Sequence, residues 1–184
     1  MDLNAFWGLV ESSAVEASSQ DDRLERLTAA LAALPQNEVV EFAVRLDEVR
    51  RRVDTWAHWH AADVICGGLC SDDGFFYFQA WLVGQGRAVF EAVALAPDAL
   101  ADLPHVRLLA ARGGVHAWAD EDWPDWEGLD YLAAEAFDGD LEAVVASREL
   151  LVSPDPAGEQ WDFADPAEIS ARIPRLGALF GKVA

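Results

Sequence analysis

The fold is decided by residues 67–87, which read GGLCSDDGFFYFQAWLVGQGR. Ser71 can accept hydrogen bonds from the free N–H groups of a helix start, and Asp72 and Asp73 complement the positive end of the helix dipole. The aromatic and aliphatic residues that follow cover most of a helix surface, which is typical of a buried helix. Glycines interrupt helical structure on both sides, at residues 67, 68, 84 and 86. We therefore predict a central helix between two glycine turns.

The rest of the first half shows apolar residues at spacings of three and four, the period of an amphipathic helix. This spacing predicts helices over residues 3–16, from the start signal at 18–21 to Pro35, and over 87–95, with a helical turn at 98–103. The clearest pattern runs from Val39 to His60 and predicts a single long helix over residues 37–65, with one buried seam.

The second half has weaker signals. Residues 108–128 are the least regular stretch, in which Gly113 and Gly114 could turn a small hairpin. Helices are expected over 129–137 and 141–151, followed by a loop at 154–158. A last helix opens at the capping box of Asp165 and Glu168, and Pro174 bends or ends it.

These patterns predict a mainly α fold, a single-domain orthogonal helical bundle with an irregular acidic, tryptophan-rich segment. Residues 1–103 form the helical core of the predicted domain, which extends over 1–184. An acidic segment at 104–168 packs on this core, and a C-terminal helix covers 166–180.

The composition excludes several classes of protein. The 184 residues include 33 acidic and 13 basic side chains, a formal charge of −20, and 52% of them are hydrophobic, which is too many for a disordered chain. Nucleic acid and anionic membrane surfaces repel so acidic a chain, so we expect no direct binding to either. No window of about 18 apolar residues could span a bilayer. Asp2 stands where a secretory signal would be basic, so we expect a cytoplasmic protein.

The negative charge is concentrated in residues 97–168, which hold 18 acidic and 3 basic side chains. Acidic and aromatic residues alternate there, as in a surface that offers aromatic anchors to a basic protein. The alternative is an acidic solvated loop that its tryptophans pin to the core, and the sequence leaves both open. The predicted partner surface comprises Trp118, Asp120, Glu121, Asp122, Trp123, Asp125 and Trp126.

Four further residues are candidates for catalysis or cation binding: Asp72, Asp73, His60 and Asp63. Adjacent residues of a helix point about 100° apart, so we favour capping of the central helix as the role of the two neighbouring aspartates. His60 ends an apolar seam, where a hydrogen-bonded core histidine is the commoner case. Trp81, Arg87 and Gln79 are the candidate ligand-binding residues nearby.

Other chemistry has little support in the sequence. Cys66 and Cys70 lie four residues apart, close to His58 and His60, but the spacing matches no standard zinc site, and buried apolar thiols are commoner in the cytoplasm. We therefore predict no metal and no cofactor. No established catalytic motif occurs, which weighs weakly against an enzyme.

Residues 67–87 resemble an uncharacterised bacterial family, domain of unknown function 4240, together with three further runs: Phe6-Trp7, Trp59-x-Ala61-Ala62 and Pro97-Asp98-x-Leu100. Members also tend to close with a Gly-Glu-x-Trp-Asp segment before a helix, here at residues 158–162, so the resemblance covers nearly the whole chain. It implies no established activity. Members often carry Arg-Gly where this chain has Gln79-Ala80, so an anion contact made by that arginine would be lacking here.

Two hypotheses follow from the residues. The first is an interaction or regulatory module that binds a basic protein through the acidic segment. The second is a small-molecule or metal site, with or without catalysis, around the start of the central helix.

Overall fold

A computed structural model gives the architecture of the chain and describes residues 1–146 and 155–181. Within this part of the chain the secondary structure is helical, apart from an isolated parallel bridge between Thr55 and Ala157. Short 3-10 helices lie at Pro97–Asp102, Val115–Ala117 and Asp120–Asp122. The α-helices are α1 (Leu3–Ser13), α2 (Gln20–Ala32), α3 (Gln36–Arg51), α4 (Trp56–Ile65), α5 (Asp72–Gly84), α6 (Arg87–Leu95), α7 (Pro104–Ala111), α8 (Glu127–Ala136), α9 (Leu141–Ala146), α10 (Pro166–Arg172) and α11 (Pro174–Phe180).

The mainly α fold is confirmed, and α5 is its central helix. Ser71 caps α5 by accepting a hydrogen bond from the Gly74 amide at 3.1 Å. From Phe78 to Gly84 every residue of α5 is buried, and the helix contacts α1, α3, α4, α6 and α8. Gly86 then turns the chain into α6 with a φ of 87°, a conformation that favours glycine.

The predicted long helix over residues 37–65 is wrong, because the chain breaks between α3 and α4. Thr55 caps α4 by accepting a hydrogen bond from the His58 amide at 3.2 Å. The backbone at the break also pairs with a distant segment: Ala157 N–H donates to Asp54 O at 2.9 Å, and Trp56 N–H donates to Ala157 O at 3.0 Å. These bonds satisfy backbone N–H and C=O groups that would bond to one another along the helix if it were continuous.

The second half contains more helix than its pattern predicts. Pro104 opens α7, a helix that the apolar pattern does not predict. A proline fits at the first helical position because the N–H it lacks would have no partner within the helix. Gly113 and Gly114 lead into a 3-10 helix rather than a hairpin. Pro174 does end α10 and begins α11. Of the helix expected over 141–151, residues 141–146 are helical and 147–151 lie outside the described residues.

The second half packs directly on the first. Helix α8 contacts α2, α3 and α5, and α11 contacts α4, α7 and the 3-10 helix at Pro97–Asp102. One hydrophobic core runs through these helices, from Phe6 in α1 to Leu176 in α11. None of the described helices has the length and hydropathy needed to cross a membrane.

Candidate functional site

A cleft with a cavity of about 550 Å³ opens where the acidic segment meets the start of α2 and the end of α5. We call it the acidic cleft. Among the described residues that line it, none is lysine or arginine. Its lining consists of Ser18, Ser19, Gln20, Asp21, Trp81, Gln85, His105, Asp120, Glu121, Trp123 and Asp125.

The inner wall of the acidic cleft is aromatic and uncharged. Trp81 is 5% exposed and its ring packs against His105, with 5.7 Å between the ring centroids. The His105 ring lies 2.9 Å, Nε2 to carbonyl oxygen, from Asp122, which can only accept, so Nε2 carries the proton and donates. Burial, with a smaller effect of the nearby Arg112 charge, lowers the pKa of His105, so the ring is neutral at pH 7.

Two residues of the acidic segment, Asp122 and Trp126, face the interior and hold the acidic side of the cleft in place. Asp122 is 5% exposed; its carboxylate pairs with Arg112 and accepts a hydrogen bond from the Ala119 amide at 2.8 Å. Trp126 is 3% exposed, lies under the Arg23 guanidinium at 4.6 Å, and donates its backbone N–H to Tyr77 O at 3.2 Å. Both residues were predicted as partner surface, and the structure places both of them in the interior.

The outward-facing part of the predicted partner surface lines the acidic cleft. It consists of Asp120, Glu121, Trp123 and Asp125. Trp118 is half-buried and packs edge-on against Trp123, with ring centroids 5.1 Å apart. Burial raises the pKa of Asp125, and the charge of Glu127 adds to this effect. Asp122 and Trp126 thus pin the acidic segment to the core, whereas Asp120, Glu121, Trp123 and Asp125 line the cleft.

Sequence reasoning missed the residues that other helices bring to the cleft: Ser18, Ser19, Gln20, Asp21, Gln85 and His105. Residues 18–21 were interpreted as a helix start, and Ser19 does cap α2 by accepting from the Asp22 amide at 3.1 Å. Gln20 also ties α2 to the acidic loop, since its Nε2 donates to Asp125 O at 2.8 Å. No local pattern could have signalled this contact across the chain.

A second concavity, of about 270 Å³, lies beside the start of α5, and we call it the Arg50 pocket. Its lining comprises Asp47, Arg50, Arg51, Asp54, Trp59, Asp72, Phe75, Phe76, Gln79, Asp155 and Pro156. It thus gathers two of the predicted residues, Asp72 and Gln79. Gln79 is 4% exposed; its Nε2 donates to Asp54 Oδ1 at 3.2 Å and its Oε1 accepts from Arg50 at 3.4 Å.

Arg50 itself is largely buried, with an ion pair to Asp130 of α8. Its guanidinium lies over the Phe76 ring at 3.4 Å from the centroid. Burial raises the pKa of Asp130 to about 6 despite the attraction of Arg50. Burial likewise lowers the pKa of Arg50, and the charge of Asp130 opposes this effect, so the ion pair offsets part of the cost of burying both groups.

The other predicted residues lie apart from one another. Asp73 is exposed in the first turn of α5. Asp63 accepts a hydrogen bond from the Cys70 amide at 3.2 Å, and burial raises its pKa. Arg87 reaches α1, where Nη1 donates to Asn4 Oδ1 at 2.7 Å. Within the described residues, no group of three or more histidine, cysteine, aspartate or glutamate side chains is placed to hold a metal ion.

His60 lies in the interior at 1% exposure, with its ring centroid 3.8 Å from that of Trp161 and 3.5 Å from that of Phe163. Neither ring nitrogen has a hydrogen-bond partner among the described residues, so the expected hydrogen-bonded core histidine is not what they form. Burial lowers the pKa of His60 to about 4, the charge of Arg172 adds to this, and Asp162 opposes it.

The family described as "Protein of unknown function (DUF4240)" has a model that matches residues 1–139. This range contains every residue that lines the acidic cleft, and it ends before the Gly158–Asp162 segment. No curated protein and no solved structure matches the chain.

Proposed function

The chain belongs to the family of unknown function DUF4240, and we propose that it is an interaction module whose acidic cleft binds a basic partner protein. The group recognised would be a lysine or arginine side chain. One observation carries the proposal: Asp21, Asp120, Glu121 and Asp125 line the cleft, and no described lining residue is lysine or arginine.

The aromatic residues of the acidic cleft suit the same ligand. Trp81 and Trp123 line the cleft, and indole rings bind both a cation, over the ring face, and the apolar stem that carries it. His105 adds no positive charge at pH 7, because burial keeps its ring neutral. The loop is also fixed in advance by Asp122 and Trp126, so binding would cost little ordering of the protein.

The test is a titration of the full chain with an oligo-arginine peptide, followed by tryptophan fluorescence, with an oligo-glutamate peptide as the negative control. We expect binding that weakens steeply as salt is added, since exposed charges are screened over about 10 Å at 0.1 M salt. The triple variant D120N/E121Q/D125N should bind at least about tenfold more weakly, a loss of about 1.4 kcal/mol.

A matched control separates the acidic cleft from the net charge of the chain. The triple variant E25Q/E135Q/E142Q removes the same charge from exposed positions that do not line the cleft. It should bind oligo-arginine almost as tightly as the wild type. Equal losses in both triple variants would mean non-specific attraction and would contradict the proposal.

The Arg50 pocket supports a second candidate function, the binding of a small zwitterionic or cationic molecule. The observation that favours it is a buried guanidinium and amide, Arg50 and Gln79, beneath a concavity that four aspartates line. A thermal-shift panel of amino acids and small amines should contain a compound that raises the Tm of the wild type but not of an Asp72→Asn variant. A panel without any such compound would count against this function.

We also infer that the protein works in the cytoplasm. Both cysteines carry free thiols. Cytoplasmic proteins keep their cysteines reduced, whereas secreted ones usually oxidise them. Fractionation of cells that express the full chain would place it in the soluble cytoplasmic fraction; recovery from an extracytoplasmic compartment would contradict the inference.

A further inference from the structure

The two cysteines meet at the turn between α4 and α5. Cys66 directly follows the last residue of α4 and is 5% exposed, whereas Cys70 directly precedes the Ser71 cap and is half-buried. Their side chains face the same space, because both line one small cavity of about 90 Å³.

The turn holds the two sulfur atoms in this position. Gly67 and Gly68 adopt φ values of 64° and 85°, in the left-handed region that favours glycine, and reverse the chain. The backbone of Cys70 is fixed on both sides: its N–H donates to Asp63 Oδ1 at 3.2 Å, and its carbonyl accepts from Trp59 Nε1 at 3.0 Å. Two groups held in contact react far faster than free ones, because the entropy of bringing them together is already lost.

The two thiols differ in reactivity. The neighbouring Cys70 thiol, followed by burial, raises the pKa of the Cys66 thiol. A thiol that stays protonated reacts slowly with an oxidant in solution, so Cys66 reacts only with a sulfenic acid that the turn holds beside it. Cys70 is the more accessible of the two, next to a turn whose tip, Leu69, is 61% exposed. Cys70 is therefore the sulfur that an oxidant in solution meets first.

We propose that Cys66 and Cys70 form a redox pair, which closes to an intramolecular disulfide when a peroxide reaches it and reopens with a dithiol reductant. The proposal is independent of what the acidic cleft binds. Lasting disulfides are rare in cytoplasmic proteins, and those that do form there are usually transient and sense the redox state.

The reaction balances in two steps. The Cys70 sulfur attacks one peroxide oxygen, the O–O bond breaks, and Cys70 becomes a sulfenic acid while one water leaves with the thiol proton. The Cys66 sulfur then attacks the Cys70 sulfur, the S–O bond breaks, and the hydroxyl leaves as a second water with the Cys66 proton. The pair loses two protons and two electrons in total, and the peroxide is reduced to two waters. A dithiol returns both hydrogens and is itself oxidised to a disulfide.

The cavity beside the thiols also reaches the acidic loop. Its other walls are Leu69, Gly74, Trp123, Pro124 and Asp125. A disulfide brings the two sulfur atoms to covalent distance, which changes the shape of the cavity that Trp123 and Pro124 also line. Oxidation should therefore change the fluorescence of Trp123 along with the thiol content.

The test exposes the full chain to hydrogen peroxide, labels the remaining thiols in denaturant with iodoacetamide, and measures the mass of the intact protein. We expect both thiols to be lost together, so that the oxidised chain takes up no label and is lighter than the reduced, unlabelled chain by two hydrogens. The chain should stay monomeric, and dithiothreitol should restore both thiols. Added oxygen on Cys70 with Cys66 still labelled would overturn the proposal. A covalent dimer as the main product would overturn it as well.

Two single variants test the order of attack. In Cys66→Ser, Cys70 should accumulate as a sulfenic acid that dimedone traps. In Cys70→Ser, the buried Cys66 should remain open to alkylation after the same exposure. Oxidation of Cys66 in Cys70→Ser at the rate seen for the wild-type pair would contradict the role given to Cys70.

Discussion

Gly84 lies so close to the indole ring of Trp126 that a Cβ atom added to the glycine would stand 2.6 Å from Trp126 Cε3. Contacts between carbon atoms are normally near 3.5–4.0 Å, so no side chain fits at this position. Gly84 is the last residue of α5, and Trp126 directly precedes α8. This approach joins the central helix to the loop that carries the acidic cleft.

The first prediction concerns this contact. Gly84→Ala should lower the free energy of unfolding by about 1–3 kcal/mol, because the added methyl must displace the Trp126 ring or the helix end. Urea unfolding of the variant and the wild type measures the loss.

Gly8→Ala is the matched control for Gly84→Ala. Gly8 is exposed within α1, and a Cβ atom there meets nothing within 4 Å. Alanine should therefore raise stability by about 0.5–1 kcal/mol, since it loses less backbone freedom in a helix. If both alanines had the same effect, the close approach of Trp126 would not be what governs Gly84.

The second prediction is a pH dependence that comes from His60. Its pKa is about 4 in the folded protein, against an ordinary value of 6.5. Between these values the unfolded chain binds more protons than the folded one, so the free energy of unfolding falls as the pH is lowered from about 6.5 to 4. This contribution to stability is fully present above pH 6.5.

His60→Phe should remove that part of the pH dependence. A phenyl ring can pack between Trp161 and Phe163 and does not titrate. Relative to the wild type, the variant should gain about 1–3 kcal/mol between pH 7 and pH 4. Because the other titrating groups are the same in both proteins, the difference between their urea curves isolates His60. Parallel curves over this range would contradict the assignment.

The sequence could predict α5 because its signals are local: Ser71 caps it, apolar residues surround it, and Gly84 ends it. It could not predict the break between α3 and α4, where Ala157 supplies the hydrogen bonds from about a hundred positions away. A periodic apolar seam shows which side of a helix is buried. It does not show where tertiary contacts interrupt that helix.

The residues of the acidic cleft also differ in whether the sequence could predict them. Asp120, Glu121, Trp123 and Asp125 could be predicted from composition, because they lie within one short stretch. Asp21, Gln85 and His105 join them only when α2, α5 and α7 come together, so the sequence showed no relation among them. Asp122 and Trp126 could not be told apart from the exposed members, because burial depends on neighbours outside the stretch.

The third prediction separates capping from ligand binding at the start of α5. Ser71→Ala should cost about 1 kcal/mol, because the Gly74 amide loses its acceptor. Asp72→Asn and Asp73→Asn should each cost only about 0.3–1 kcal/mol, the contribution of a charge at a helix end. Thermal unfolding of the three variants gives the comparison. A clear gain in stability for Asp72→Asn would instead mark Asp72 as an acid kept for the Arg50 pocket at a cost in stability.

The last prediction concerns the buried pair of Arg50 and Asp130, whose side chains are 10% and 8% exposed. Burial already raises the pKa of Asp130 to about 6, and Arg50 is the main influence that lowers it. Arg50→Met removes that influence, so the pKa of Asp130 should rise further. A carboxyl group with a raised folded pKa loses its stabilising contribution as the pH rises through that value.

The loss of stability caused by Arg50→Met should therefore grow with pH, from a smaller value at pH 5 to about 3 kcal/mol at pH 8, as urea unfolding would show. The double variant Arg50→Met/Asp130→Asn should lose this extra pH dependence, because no carboxyl group remains at the site.

Arg52→Met provides the matched control: Arg52 pairs with Glu91 at 2.6 Å, but the two side chains are 41% and 37% exposed. An exposed pair contributes less than about 1 kcal/mol, so Arg52→Met should cost little at either pH. A penalty for Arg50→Met that stayed constant from pH 5 to pH 8 would mean that Arg50 acts on the fold through packing over Phe76 and not through its charge.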